Sequence, residues 1–299
     1  MEFLELLTLS PVLRLSLAVV LGLLVGSFLN VVIHRVPLML QRDWRQQCME
    51  FLSLDEKQTP MADPVPGHKR FNLVSPGSHC PHCNAAIQPW QNIPVLSYLA
   101  LRGRCASCRG RIAARYPIVE AISAALAFTV VWRYGATVDT LALLVFAWSL
   151  LALTLIDADH QLLPDNITLP LLWLGLLLSV WGIGTGIGPR DALLGAVLGY
   201  LSLWSIYWLF RLLTGKEGMG YGDFKLLAAL GAWLGWQHLL TVILLSSLVG
   251  AIVGTLQLTL GGQDRNQPIP FGPYLAGAGF LTLLFGDPLM AAWLSVAAP

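Results

Sequence analysis

The sequence predicts an all-α polytopic membrane protein with about eight transmembrane helices and a large cytoplasmic loop between the first and the second. Of its 299 residues, 56% are hydrophobic and only 12% are charged, and the mean hydropathy is +0.66. The apolar residues occur in long blocks with almost no ionisable groups, as a helix needs to cross a hydrocarbon core about 30 Å thick. A β-barrel would require short segments of alternating polarity instead.

Each predicted transmembrane helix corresponds to one apolar block. The first block lacks a cleavage site of small residues, so we expect a retained helix rather than a signal peptide. The run from 224 to 260 is too long for a single crossing, and Gly235, Gln237 and His238 mark the expected break. The predicted spans are 11–32, 117–132, 138–156, 167–183, 192–213, 224–239, 240–260 and 272–294.

The basic residues predict which side of the membrane each loop faces. Eleven of the 18 lysines and arginines lie in the loop 34–116, and four more lie on the same side. Only Arg14, Arg133 and Arg190 fall on the other side, so the loop is expected in the cytoplasm and both termini outside. The net charge of +1 gives no indication of a nucleic-acid partner. The predicted regions are a first transmembrane helix (1–33), the cytoplasmic loop (34–116) and a transmembrane core (117–299).

Four of the five cysteines form two C-x2-C pairs in this loop, Cys80-Pro-His-Cys83 and Cys105-Ala-Ser-Cys108, separated by 21 residues. Two thiolates three positions apart on a tight turn can both bind zinc at about 2.3 Å, and two such pairs complete a tetrahedral site. We therefore expect one structural zinc ion per chain, folding a loop that has little hydrophobic core of its own. Two disulfides or incidental thiols are the alternative, although a cytoplasmic compartment keeps thiols reduced.

Three nearby residues have weaker claims on the metal. His79 and His82 flank the first cysteine pair and are minor candidates for ligands. Cys48 has no partner cysteine at C-x2-C spacing, so we expect it to be structural or inert.

Two acidic residues abut apolar spans at the membrane edge. Asp157 ends the third span and Asp223 precedes the sixth, so the predicted topology puts both at the cytoplasmic face, where they are expected to meet. Burying a carboxylate there is costly, which makes each a functional candidate. Two carboxyl groups within about 3–5 Å share one proton. Such a pair suits an aspartic hydrolase, in which the ionised partner takes a proton from water and the protonated partner hydrogen-bonds the scissile carbonyl.

Residues around these two aspartates are candidates for support or substrate binding. Asp159 has the simpler interpretation of a solvated loop residue, and Asp165 that of the N-cap of the next helix. Glycines at alternate positions before Asp223 allow the backbone to turn or to approach a bound chain closely. No H-E-x-x-H or G-x-S-x-G motif indicates another class of hydrolase. The supporting candidates are Asp159, Asp165, Gly220, Gly222 and Lys225.

Several segments, which together cover nearly the whole chain, follow the order typical of one known family. They are Gly26-Ser-Phe-Leu-Asn-Val-Val-Ile-His-Arg-Val-Pro37, the two C-x2-C pairs, Gln91-Asn-Ile-Pro94, Arg115-Tyr-Pro-Ile-Val-Glu120, Ile156-Asp-Ala-Asp-His-Gln-Leu-Leu-Pro-Asp165, Gly218-Met-Gly-Tyr-Gly-Asp-Phe-Lys225 and Pro270-Phe-Gly-Pro-Tyr274. With them the sequence resembles the bifunctional type IV prepilin peptidases, polytopic inner-membrane enzymes that process type IV prepilins and the pseudopilins of type II secretion.

This resemblance implies two activities. The family's catalytic aspartates correspond to Asp157 and Asp223. The resemblance implies cleavage after the glycine that ends a short basic leader. It also implies subsequent methylation of the new N-terminal amine, usually of phenylalanine, with S-adenosylmethionine as methyl donor. The segment around Gly103 is implicated in methylation in the family, although Arg102 stands where some relatives have a second glycine.

The resemblance also implies a bacterial inner-membrane location, with the loop and the active site at the cytoplasmic face. A prepilin places its basic leader in the cytoplasm and its apolar helix in the bilayer, so Asp159, Glu217 and Asp165 would attract the leader's positive charges. Two alternatives remain open. One is a transporter or channel with intramembrane acids and a zinc-regulated loop; the other is an aspartic peptidase for another substrate class, without methyl transfer.

Overall fold

A computed structural model of the protein describes residues 10–53, 70–88, 91, 93–216, 218–260 and 269–297. Within these ranges the chain is nearly all helical, and its only β-structure is two isolated bridges. The helices are α1 (Pro11–Leu52), α2 (Leu96–Ala100), α3 (Arg115–Tyr134), α4 (Val138–His160), α5 (Asp165–Val180), α6 (Pro189–Thr214), α7 (Tyr221–Leu234), α8 (Leu239–Leu260) and α9 (Gly272–Ala297).

The predicted all-α membrane architecture is confirmed, because each predicted span coincides with one of these helices. Among the described residues, six helices are long and apolar enough to cross a bilayer. Two others are shorter, with 16 residues in α5 and 14 in α7. At about 1.5 Å per residue, α7 reaches roughly 21 Å, less than the thickness of a hydrocarbon core. Length and composition therefore identify a multi-pass membrane protein.

Helix α1 continues well past the predicted end of the first span at residue 32. It contains Pro37 and ends only at Leu52. The residues that follow Pro37 are rich in leucine, glutamine, arginine and methionine, which all favour helix. Hydropathy marks the end of the apolar block, whereas the helix continues for about five more turns to Leu52.

The described chain divides into two compact units, one of Leu15–Phe128 and one of Met1–Arg14 with Thr129–Pro299. In the first unit, α1 and α3 cross closely at two glycines. A Cβ atom added to Gly22 would lie 2.6 Å from the Cα of Ala124, and one added to Gly26 would lie 2.7 Å from the Cα of Glu120. Ser123 donates its hydroxyl hydrogen to the carbonyl of Gly22 at 2.6 Å. This G-x-x-x-G spacing is typical of close helix pairs in membranes.

In the second unit, α7 is enclosed on nearly all sides. Its residues from Phe224 to Leu234 are buried with the exception of Lys225, as expected for a helix that is apolar all round. Gly199 permits α6 to approach so closely that an added Cβ would lie 2.6 Å from the carbonyl oxygen of Leu227. Because the short helix α7 is enclosed, Asp223 in its first turn is held inside this unit.

The end of α7 confirms the predicted break in the long apolar run. The helix stops at Leu234, and Gly235 has a φ of 79°, in the left-handed region that favours glycine. A single 3₁₀ turn, Trp236–His238, then leads directly into α8.

Candidate active site and cysteine cluster

Asp157 lies in the last turn of α4, where it is 5% exposed. The backbone N–H of Gly272, at the start of α9, donates a hydrogen bond to its Oδ2 at 2.9 Å. Helix α4 ends because Gln161 adopts a left-handed conformation, and the N–H of Gln161 bonds the carbonyl of Asp157 at 2.8 Å. The Asp157 side chain is thereby held inside the unit at a helix end.

Asp223 lies in the first turn of α7 and is 7% exposed. Gly220 is the N-cap residue of this helix, and its carbonyl accepts the N–H of Asp223 at 3.2 Å. The Oδ1 atom of Asp223 is buried without a hydrogen-bond partner among the described residues. The first turn of α7 therefore buries the Asp223 side chain, although Tyr221 in the same turn is exposed.

The structure brings the two carboxyl groups together around Leu163. A Cβ atom on Gly222 would lie 2.8 Å from the Cβ of Leu163, and one on Gly272 would lie 3.1 Å from its Cδ2. Asp157 and Asp223 are close enough to interact electrostatically. The end of α4 and the starts of α7 and α9 therefore form one buried acidic site, and Gly222 and Gly272 leave no room for a Cβ beside Leu163.

The remaining acidic candidates lie outside this buried pair. Asp159 is exposed in the last turn of α4. The expectation that Asp165 caps the next helix is wrong, because Pro164 is the N-cap residue. Asp165 instead accepts two hydrogen bonds from Nζ of Lys225, each 2.7 Å long. Glu217 lies outside the described residues.

An apolar groove of about 340 Å³ opens next to the acidic site. Met219 lines it four positions before Asp223, and Phe271 lines it one position before Gly272. Residues of α6 and α8 form most of the remaining wall, including Leu203, Ile206, Ile243 and Ala251, and Tyr274 of α9 also lines it.

The two C-x2-C pairs adopt the same turn. In each turn the first cysteine donates its N–H to the carbonyl five residues later and accepts the N–H four residues later. These pairs are Cys80–Ala85, Cys80–Asn84, Cys105–Gly110 and Cys105–Arg109, with lengths of 2.8–3.0 Å. A bridge closes each turn, between His79 and Ala86 and between Arg104 and Arg111.

The four cysteine sulfurs converge as a metal site requires. They lie within 4.8 Å of one another, and no disulfide joins any of the chain's five cysteines. The Sγ atoms of Cys80 and Cys108 are 3.9 Å apart, close to the edge of about 3.8 Å in a tetrahedron with 2.3 Å zinc–sulfur bonds. The arrangement can hold one metal ion.

Electrostatics in the cluster favour a bound cation. The backbone N–H groups of Cys108 and Ser107 lower the pKa of the Cys105 thiol to about 6. The Gly110 N–H also favours the thiolate of Cys108, but the neighbouring thiols, that of Cys83 foremost, raise its pKa to about 11. Several neighbouring thiols cannot all ionise to thiolates unless a positive charge lies between them.

His79, His82 and Cys48 are not part of the cysteine cluster. Nδ1 of His79 contacts the carbonyl of Gly77 at 3.1 Å. The ring of His82 lies over Gly110, where an added Cβ would be 2.9 Å from its Cδ2. Cys48 is exposed on α1.

Gly103 lies in a tight turn before the second cysteine pair. Its φ is 68°, and an added Cβ would lie 2.9 Å from the ring of Tyr98. Arg102 also has a positive φ, 52°, in the left-handed region that favours glycine.

Glu120 and Gly272 are two residues whose roles the sequence did not reveal. Glu120 is buried, and its Oε2 accepts the N–H of Val95 at 2.7 Å. Its position as an acid inside an apolar helix was a usable signal. For Gly272 the only signal was the Pro-Phe-Gly-Pro segment, which gives no indication of a bond to Asp157.

The fold and the buried acids define a polytopic membrane protein with paired carboxyl groups at its helix ends. Residues 20–134 match the bacterial peptidase A24 N-terminal domain, and residues 144–255 match the type IV leader peptidase family. The chain is 54% identical over 293 residues to a prepilin leader peptidase/N-methyltransferase of Stutzerimonas stutzeri, with 98% of each chain covered. It is 53% identical over 297 residues to that of Pseudomonas aeruginosa, with 99% of each covered.

The protein therefore belongs to the type IV leader peptidase family. This membership sets aside the transporter alternative. No solved structure matches the chain.

Proposed function

We propose that the protein is a membrane aspartic endopeptidase and N-methyltransferase. It removes the basic leader of type IV prepilins and type II secretion pseudopilins after a glycine, and then methylates the new N-terminal residue, usually phenylalanine. The observation that carries this proposal is the buried pair Asp157 and Asp223 in a chain 54% identical to a prepilin leader peptidase/N-methyltransferase.

Hydrolysis requires one ionised and one protonated carboxyl group in this pair. The ionised aspartate takes a proton from water as the water oxygen bonds the scissile carbonyl carbon, and the protonated aspartate gives its proton to the carbonyl oxygen. When the intermediate collapses, the first aspartate passes its proton to the leaving amine. The second aspartate recovers its proton as the carbonyl re-forms, so the pair returns to its starting state.

The groove and the surrounding charges suit a substrate that is basic at one end and apolar at the other. The groove adjoins the acid pair through Met219 and Phe271 and is walled by apolar side chains. We assign it to the apolar segment that follows the scissile bond. Asp159 adds negative charge at the end of α4, on the side expected to meet the leader.

Cys80, Cys83, Cys105 and Cys108 are the residues that would hold one structural zinc ion. Their four sulfurs fit its tetrahedral geometry. The ion would join two turns that have few buried apolar residues of their own.

S-adenosylmethionine would supply the methyl group for the second reaction. The Arg102–Gly103 turn is our candidate for a segment that serves this reaction. It is connected to the membrane helices through the bond between Val95 and Glu120, which anchors the short helix α2 that carries Tyr98.

We place the protein in the bacterial inner membrane, with the cysteine-containing loop and the acid pair at the cytoplasmic face. The excess of lysine and arginine on that side supports this orientation.

The direct test incubates purified protein with a prepilin and with a prepilin variant that lacks the glycine before the cleavage site. Mass spectrometry should detect the mature product, and with S-adenosylmethionine the same product heavier by one methyl group. The glycine variant should remain uncut. Intact wild-type prepilin after prolonged incubation with folded protein would contradict the proposal.

A further inference from the structure

We propose that Gly272 is a positioning residue for hydrolysis: its backbone N–H holds Asp157 as the ionised, water-activating partner and leaves Asp223 as the proton donor. This inference rests on the proposed function, since it takes Asp157 and Asp223 as the acid pair. It adds an assignment of the two roles, and it names the backbone group that enforces them.

The bond between Gly272 and Asp157 depends on the absence of a side chain at residue 272. The N–H of Gly272 lies 2.9 Å from Oδ2 of Asp157. A Cβ at Gly272 would lie 2.6 Å from the same oxygen and 3.1 Å from Cγ, distances at which the carboxyl group must move. Any other residue at 272 would therefore push away the group that its N–H should bind.

Each carboxyl group has a backbone donor, Gly272 for Asp157 and Gly220 for Asp223, and the two groups differ at Oδ1 of Asp223. Asp157 accepts the N–H of Gly272, and such a donor stabilises a negative charge. Oδ1 of Asp223 is buried with no partner in the described part of the chain. A buried oxygen without a donor favours the protonated acid, which can then donate to a substrate carbonyl. The unpartnered oxygen thus makes Asp223 the proton donor, and the Gly272 donor keeps Asp157 as the group that activates water.

The first test compares Gly272→Ala with two other glycine-to-alanine variants in α9. Gly277→Ala meets no atom within 4 Å. Gly279→Ala would place a Cβ 2.5 Å from Cδ2 of Leu230, a clash of similar size that does not involve the acid pair. The three variants separate loss of positioning from loss of packing.

We expect Gly272→Ala to lower kcat for leader cleavage about 100-fold with KM within about threefold of wild type, because a displaced catalytic group costs about that much. The acid limb of its kcat/KM profile should move to higher pH. Without the donor, the Asp157 carboxylate is less stable and takes up its proton at a higher pH, so activity is lost earlier on acidification. The carboxyl group that faces it, Asp223, is unchanged in all three variants.

Gly277→Ala and Gly279→Ala should keep the wild-type acid limb, even if the second lowers thermal stability. Gly272→Ala with a wild-type acid limb and kcat within threefold of Gly277→Ala would overturn the inference.

A second test needs no substitution at Gly272 and so does not depend on that variant folding. Phe–Gly pairs occur twice in the sequence, at 271–272 and 285–286. Labelling phenylalanine with ¹³C at the carbonyl and glycine with ¹⁵N therefore yields two amide signals in a carbonyl-correlated spectrum. The Gly272 amide proton should move upfield in Asp157→Ala and stay in place in Asp159→Ala. An unchanged chemical shift of the Gly272 amide proton in Asp157→Ala would show that the hydrogen bond does not exist.

Failure of this inference is distinguishable from failure of the proposed function. If Asp157→Asn cleaves prepilin normally, the acid pair itself is wrong. If Asp157→Asn is inactive while Gly272→Ala behaves like Gly277→Ala, the pair stands and Gly272 has no positioning role.

Discussion

The two sites of this protein are built from the sequence in opposite ways. The cysteine cluster comes from two short turns that repeat one hydrogen-bond pattern, and each turn holds its own two ligands. The acid site comes from the ends of three helices that are distant in the sequence and meet around Leu163. A local motif can therefore be recognised from spacing alone, whereas a site assembled from helix ends depends on packing over the whole unit.

The largest expected effect follows from substitution of either buried aspartate. Asp157→Asn and Asp223→Asn preserve shape but remove the acid–base chemistry, so leader cleavage should fall by about 10³-fold or more. Bound zinc should not change, because the metal site belongs to the other unit. The measurement is the initial rate of product formation from purified, correctly inserted protein.

Asp159→Asn is the matched control because Asp159 lies on the same helix but is exposed. It should lose far less activity than Asp157→Asn. Near-normal cleavage by Asp157→Asn or Asp223→Asn would show that the acid pair is not catalytic.

Substitution of a cysteine should have the opposite pattern. In Cys80→Ser or Cys105→Ser, bound zinc should fall from one per chain to a small fraction, and the loop should become sensitive to protease. Cleavage should decrease only as folded protein is lost. Elemental analysis and limited proteolysis provide the measurements, and Cys48→Ser is the control because Cys48 is exposed and outside the cluster. Fully active protein that never contains zinc would contradict this prediction.

A smaller effect is expected from filling the groove. Ala251 lines it on α8, and a tryptophan there would occupy much of its volume. Ala251→Trp should raise KM for prepilin about tenfold, equivalent to about 1.4 kcal/mol, with little change in kcat. Ile252→Trp is the comparison, because Ile252 is the next residue, 52% exposed and not part of the wall. Equal effects of the two substitutions would show that the groove does not bind the substrate.

The weakest predicted effect at the acid site concerns the pair Lys225 and Asp165. Their side chains are 31% and 49% exposed, and ion pairs at such positions contribute about 0–1 kcal/mol. A double-mutant cycle with Lys225→Met and Asp165→Asn, read by unfolding in detergent, should give a coupling energy below about 1 kcal/mol that shrinks with added salt. A coupling energy above about 2 kcal/mol would show that the pair is a structural element of the site.

Much of this organisation was predictable from the sequence, and what was missed has physical reasons. Apolar blocks located the helices, and Gly235 located the break before α8. The end of α1 at Leu52 was missed because hydropathy detects only the apolar part of a helix and not its polar extension. The bond from Gly272 to Asp157 was missed because a backbone donor leaves no side-chain signature. The bond from Lys225 to Asp165 was missed because it joins two helices distant in the sequence.

We expect the buried aspartates to carry hydrolysis and not to be needed for methyl transfer. The most direct measurement gives Asp157→Asn and Asp223→Asn proteins a synthetic pilin peptide that already begins with its mature phenylalanine, together with isotopically labelled S-adenosylmethionine. Methylation needs a neutral amine aligned with the donor's methyl group about 3 Å away, and it needs no carboxyl pair across a carbonyl. We expect both variants to label the peptide at rates within about tenfold of wild type. Loss of labelling in either variant, with fold and zinc content unchanged, would show that the two activities share one site.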